Sequence, residues 1–228
     1  MDMFIRSRNA FCFFLIGSIM KIALLAEKTS EFPPVKKTES GLYQFGGILI
    51  DKEKKSFSFP AVCNQTSGLV EYALVHQNGK THESLMRTDI SPRMIHACLL
   101  LLKEKPDYQF FAYLEKNSTK ISQARGIDIV VEWEQNGTLE SALIHTMVTN
   151  QKDNRELNKH AFVFTGSKVI EGTYLAQMDG SIVAVYHDSR ATLNSRDLQS
   201  HSDDVWIAND QRMPPVDLPV MIRFQLQN

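Results

Sequence analysis

Cysteine is scarce in this 228-residue chain: Cys12, Cys63 and Cys98 are all it has. An iron–sulfur cluster usually takes four thiolates, so none is expected. A four-cysteine zinc site is excluded on the same count. Basic stripes are missing too, with 25 Lys and Arg against 26 Asp and Glu. Phosphate neutralisation needs clustered cations, so nucleic acid is not an expected partner. Nor is there a polybasic patch of the kind that holds a domain on an anionic membrane surface. No Gly-rich phosphate loop, nucleotide fingerprint, G-x-S-x-G elbow or S-x-x-K pair occurs. His82-Glu83 has no second histidine at zincin spacing. There is no internal repeat and no heptad array.

What is present begins with a leader. Residues 1–26 carry Arg6 and Arg8, then an apolar run from Ala10 to Met20, then small residues at Ala23 and Ala26. That order is the signature of a secretory signal peptide, with the cut expected after Ala26. The run is short for a spanning helix and Lys21 interrupts it. An uncleaved membrane anchor and an N-terminal core helix are the alternatives. Cys12 follows Phe11, not the small residue of a lipoprotein cleavage site. The expected location is therefore periplasmic or secreted, or membrane-anchored if the leader is retained. Residues 27–41, polar and containing Pro33-Pro34, read as a flexible linker, and 42–228 as a single domain. In an oxidising compartment Cys63 and Cys98 could pair. The apolar surroundings of Cys98 equally suit two separate buried thiols.

Beyond the linker, short apolar runs alternate with polar turns, which predicts strands. Leu42–Ile50 reads as one strand with a bulge or bend at Gly46-Gly47, followed by strands over 56–62, 68–76, 81–88, 126–135 and 139–148. Further short strands are expected at 160–164, 173–177, 181–186 and 205–208, with a last one at 219–226. Asn78-Gly79 and Asn136-Gly137 each separate two such runs and predict tight hairpins, because a type I′ turn needs positive φ at both central residues. One helix is predicted over 91–104, capped by Ser91 with Pro92 in its first turn. Its leucine run predicts burial on most sides. Residues 188–204 are polar and read as an irregular loop. The fold class expected is α+β: mostly antiparallel sheet with one buried helix.

The chemistry concentrates at Glu71, His82, Glu83 and Ser84. Antiparallel pairing about Asn78-Gly79 would set Glu71 diagonal to Ser84, with His82 on the same face. A carboxylate, a hydroxyl and an imidazole on one face could bind a divalent metal or a polar ligand, or transfer protons. They could equally form a hydrogen-bonded patch on the wet face of a sheet. His96, early in the helix, could add a second imidazole, or simply satisfy a carbonyl. A second group, Asp188, Asn194, Asp203, Asp204, Asn209 and Asp210, offers oxygens for calcium, but matches no EF-hand. Two functions stay open: an exported, non-catalytic module for a small ligand or an envelope protein, and a metal-dependent or acid/base enzyme.

Residues 45–104 resemble the YdjY-domain family of exported bacterial proteins. The likeness centres on GLVEYALV, on His82-Glu83-Ser84 and on the helix after Pro92. The later half is similar as well, in FVFTGS (162–167), Asp179-Gly180-Ser181, HDSRATLN (187–194) and DDVWIAN (203–209), so the resemblance spans roughly residues 42–226. It implies no activity. Some relatives carry a ferredoxin-type label, which the missing cysteines contradict. The chain departs from the family pattern after Asp188, where Ser189 replaces the usual proline.

Overall fold

Period-two burial organises the domain. In Ser56–Cys63 the side chains of Phe57, Phe59, Ala61 and Cys63 are buried, and Ser58, Pro60 and Val62 less so. Pro219–Gln225 repeats the pattern with Val220, Ile222 and Phe224, and Gly126–Gln135 with Ile127, Ile129, Val131 and Trp133. These three strands lie side by side, and Phe224 faces Phe57 on one neighbour and Ile129 on the other. The Phe57 and Phe224 rings stack at 4.8 Å. Fully burying one such side chain contributes roughly 1.5–3 kcal/mol.

The structure, a computed structural model, describes residues 32–115 and 124–227. The predicted leader, 1–26, lies outside the described residues. In chain order the strands are β1 (Val35–Lys37), β2 (Tyr43–Phe45), β3 (Ile48–Asp51), β4 (Ser56–Cys63), β5 (Tyr72–His76), β6 (Ser84–Thr88), β7 (Gly126–Gln135), β8 (Thr138–Leu143) and β9 (Val148–Asn150). They continue with β10 (Arg155–Glu156), β11 (Phe162–Phe164), β12 (Val169–Ile170), β13 (Thr173–Tyr174), β14 (Ser181–Ala184), β15 (Leu193–Ser195), β16 (Trp206–Ala208) and β17 (Pro219–Gln225). The helices are α1 (Pro92–Leu101), α2 (Phe110–Glu115) and α3 (Leu175–Asp179).

Strands pair in the order β4–β17–β7–β11–β15–β14–β5–β6. Val62↔Arg87 and Cys63↔Met86 join β6 back to β4, so the sheet closes into an eight-stranded barrel. A barrel of that size is filled by its own side chains. The β1–β3 meander continues from β4, β8 flanks β7, and β9, β10 and β16 form a separate small sheet. Among the described residues no helix is long and apolar enough to cross a membrane.

Several expectations change. The domain is mostly β, as expected, but its sheet closes into a barrel and two barrel pairs, β5–β6 and β14–β15, are parallel. The Asn136-Gly137 hairpin forms as predicted: both residues have positive φ, 53° and 76°, and Gln135 pairs with Thr138. The Asn78-Gly79 hairpin does not. Neither residue has positive φ, and residues 77–83 carry the chain back so that β6 runs parallel to β5, with Tyr72 beside Ser84. Gly79 serves close packing instead. A side-chain carbon there would lie 2.8 Å from the Asp179 carbonyl and 3.1 Å from Gly180 Cα.

Gly46-Gly47 is a tight turn that splits the expected single strand into β2 and β3, since Phe45 pairs with Ile48. The linker is shorter than predicted, because Val35–Lys37 pairs with β2. The 173–177 stretch is a two-residue strand leading into α3. The loop expected over 188–204 contains a fully buried barrel strand, β15. Helix α1 ends at Leu101, and its burial is one-sided: Ile95, Cys98 and Leu99 face inward, whereas Leu100 and Leu101 are 49% and 45% exposed.

Candidate functional site

The parallel β5–β6 pair sets the site. The Glu71 amide donates to the Glu83 carbonyl across 3.0 Å, so the two glutamates meet side by side where the pair begins. Thr81–Glu83 is a 3₁₀ turn rather than strand. The Asn64 amide clasps that turn, donating to the carbonyls of Thr81 and Ser84, while Arg87 Nη1 donates to Asn64 Oδ1 at 3.0 Å. On the other side Val70 N donates to the Trp206 carbonyl at 2.9 Å, and Leu69 bridges Ile207. These bonds bring 203–204 alongside Glu71.

The result is an open cleft of about 430 Å³. Its ionisable lining is Glu71, Glu83, Asp203, Asp204 and His82, with Gln65, Ser67, Gly68 and Leu69 completing it. His82 is largely exposed, and its Nε2 stands 3.2 Å from Glu83 Oε1. Burial raises the Glu71 pKa above the ordinary carboxylate value, reinforced by the charge and the side-chain hydrogen bond of Glu83 and by Asp203; Lys80 opposes the rise. Asp204 goes the other way, its pKa lowered by the Ser202 hydroxyl and by Lys152, 3.4 Å away.

Three of the five residues singled out from the sequence therefore share the cleft: Glu71, His82 and Glu83. Ser84 and His96 do not join them. Ser84 is fully buried and its hydroxyl donates to the Met86 carbonyl at 2.8 Å. His96 Nδ1 lies 3.0 Å from the Tyr174 hydroxyl, its ring edge-on to Phe164, and burial lowers its pKa. The antiparallel register that set Ser84 diagonal to Glu71 is not the one formed. Cys63 and Cys98 are free, buried thiols, so the disulfide left open by the sequence is not formed. Cys63 Sγ donates to the Pro214 carbonyl, and burial pushes its pKa up to about 11 and that of Cys98 to about 12.

Sequence reasoning missed Asp203 and Asp204 as partners of Glu71, having grouped them with Asp188 and Asn194. The structure splits that group. Asn194 Oδ1 accepts from Asp188 N at 2.8 Å, and its amide donates to Thr165 Oγ1 at 2.9 Å. Asn209 donates to the Thr146 carbonyl. Asp188 Oδ2 in turn accepts from the Tyr72 hydroxyl, which itself accepts from Lys80 Nζ at 2.7 Å. This network lies behind the cleft. Burial and then Asp188 push the Tyr72 pKa up, so the phenol stays protonated. Arg190 pairs with Asp179 in bidentate fashion and braces the same loop. Among the described residues no group of three or more His, Cys, Asp or Glu side chains is arranged to hold a metal ion.

Fold and site together define a closed β-barrel domain with a fixed acidic cleft at one end of its parallel strand pair. The YdjY domain model matches residues 48–225, and the chain belongs to that family. No curated protein and no solved structure matches it.

Proposed function

We propose that the chain is exported and acts as a non-catalytic binding module, and that its cleft takes a cationic group. The observation that supports this reading is the gathering of Glu71, Glu83, Asp203 and Asp204 around one open cleft, with Lys152 as the partner of Asp204 alone. The cleft volume falls within the range of small-ligand sites. An amine or guanidinium fits it, whether carried by a small molecule or by a Lys or Arg side chain of an envelope protein. Calorimetric titration with a small diamine and with an arginine-rich hexapeptide separates the two sources. The double variant Glu71→Gln/Glu83→Gln should bind the preferred probe at least tenfold more weakly. Equal affinity in the two proteins would sink the reading.

One observation favours a second reading, acid/base chemistry. Glu71 and Glu83 are hydrogen-bonded carboxyl groups, and the Glu71 pKa is raised, as a general acid requires. Glu71→Gln would then abolish turnover of a bound substrate without loosening it. Export has its own check: the protein should be recovered in the envelope fraction, beginning near Glu27 if the leader is cut and at Met1 if it is retained as an anchor, and recovery of the intact chain from the cytosol alone would contradict it.

A further inference from the structure

Five large aliphatic side chains stand out of the barrel on elements that touch one another. Val169 and Ile170 of β12 are 67% and 53% exposed, Met178 of α3 is 60%, and Leu100 and Leu101 of α1 are 49% and 45%. Ser91 Oγ donates to Gln177 Oε1 at 2.5 Å, tying the start of α1 to α3. His96 meets Tyr174 of β13, tying the middle of α1 to the hairpin. Leu175 N donates to the Lys168 carbonyl, tying α3 to β12. Single exposed aliphatics are ordinary, but a group on one face marks an interaction surface.

The chain enters the domain beside this face. Val35 pairs with Phe45, and the turn that follows packs on Ile90: a side-chain carbon at Gly47 would lie 2.8 Å from Ile90 Cδ1. Ile90 directly precedes Ser91 and α1. Eight residues, 27–34, separate the predicted leader from Val35. Fully extended, eight residues reach at most about 29 Å. A domain held in a membrane by residues 1–26 therefore keeps the α1 end within that reach of the bilayer.

We infer that the face formed by α1, α3 and the β12–β13 hairpin rests on the lipid bilayer when the chain is held by its leader. This rests on the export reading above, with the leader retained. The contact is led by aliphatic insertion at the interface, with the exposed Lys103 and Lys105 just after α1 and Lys168 just before β12 available to lipid phosphates. It also orients the cleft. Strands β5 and β6 run in parallel from Glu71 and Ser84 at the cleft to His76 and Thr88 at the α1 end. Five residues of strand put about 15 Å between the two ends, so a bilayer against α1 leaves Glu71, Glu83 and Asp203 in water.

The test uses the full chain with Cys12→Ser, reconstituted in phosphatidylethanolamine–phosphatidylglycerol vesicles containing nitroxide-labelled lipid. A fluorophore is attached at Ile170→Cys, at Met178→Cys, or at Asp204→Cys beside the cleft. Quenching at least threefold stronger at positions 170 and 178 than at 204 is expected, and either of the first two suffices if the other misfolds. Chain that sediments with the vesicles but quenches equally at all positions, or at none, overturns the docking face and leaves the anchor standing. Chain that stays in solution overturns both.

Discussion

The Tyr72 hydroxyl donates to Asp188 Oδ2 across 3.0 Å, joining β5 to a loop 116 residues later in the chain. Lys80 Nζ donates to the Tyr72 hydroxyl oxygen at 2.7 Å. The phenol is thus the hub between the strand that carries Glu71 and the loop that leads into β15. Tyr72→Phe leaves a carboxylate and an ammonium without their shared partner. A loss of about 1–3 kcal/mol is expected. Urea unfolding should show a lower midpoint with an unchanged slope, and an unchanged midpoint would contradict the role.

Two glycines that look alike in sequence should respond differently. Gly137 sits at φ 76° and an added Cβ would meet nothing within 4 Å, so Gly137→Ala costs only the left-handed strain, about 1–2 kcal/mol. Gly79→Ala drives a methyl into the Asp179 carbonyl and Gly180, and both sides of that contact are backbone. It should cost more than about 2 kcal/mol. Thermal unfolding of the two variants decides the order.

Stability should fall on mild acidification. Burial lowers the His187 pKa to about 4, against an ordinary value of 6.5, and its Nε2 lies 2.9 Å from the Ser195 carbonyl. Between these values the unfolded chain takes up a proton that the native state refuses. The contribution is therefore complete above pH 6.5 and is lost as pH falls toward 4, on the order of 3 kcal/mol over the window. His187→Gln should lower stability at pH 7 but flatten the slope between pH 6.5 and 4. Some slope remains, because burial also lowers the pKa values of His96 and His145. An unchanged slope in the variant would contradict the assignment.

Thiol chemistry checks the cysteines. With pKa values of about 11 and about 12, Cys63 and Cys98 are at most about 0.1% thiolate at pH 8, and both are buried. In a Cys12→Ser chain an aromatic disulfide reagent should find no thiol in the native protein and two after unfolding in urea. No reactive thiol after unfolding would mean that the pair is oxidised.

The strands with clean alternation were legible because one face of each is apolar and the other is wet, as in β4, β7 and β17. Asn136-Gly137 was legible for a local reason, since the turn alone demands its two positive φ values. Asn78-Gly79 carries the same letters, but its glycine meets a constraint set by residues 179–180, which no local reading contains. Strand β15 was hidden because Leu193-Asn194-Ser195 buries polar side chains whose partners, such as Thr165, are remote in sequence. The leucine run of α1 showed a helix but not that Leu100 and Leu101 face outward. At the site, residue type pointed to Glu71, His82 and Glu83, and their cleft exists. The geometry that brought them to notice was wrong, and it admitted Ser84 and His96 while omitting Asp203.

Stability and binding should trade off at Glu71. Its raised pKa means that the native state resists ionising this carboxyl, so the penalty is absent below about pH 4.5 and grows as pH rises past it. The group is largely solvent-screened, which keeps the gain from Glu71→Gln at pH 7 below about 1 kcal/mol. That is a rise of up to roughly 2–4 °C in melting temperature. The variant should melt higher and bind cations more weakly; a lower melting temperature would contradict the assigned strain.

The central claim, that the acidic cleft is the contact surface for a cationic ligand, is tested most directly by an amide chemical-shift map of the ¹⁵N-labelled protein titrated with the diamine or the arginine-rich peptide. Saturable shifts concentrated at Leu69, Glu71, Glu83 and Asp203 are expected, and their loss in Glu71→Gln/Glu83→Gln. Shifts centred elsewhere, or shifts that persist undiminished in the double variant, would contradict it.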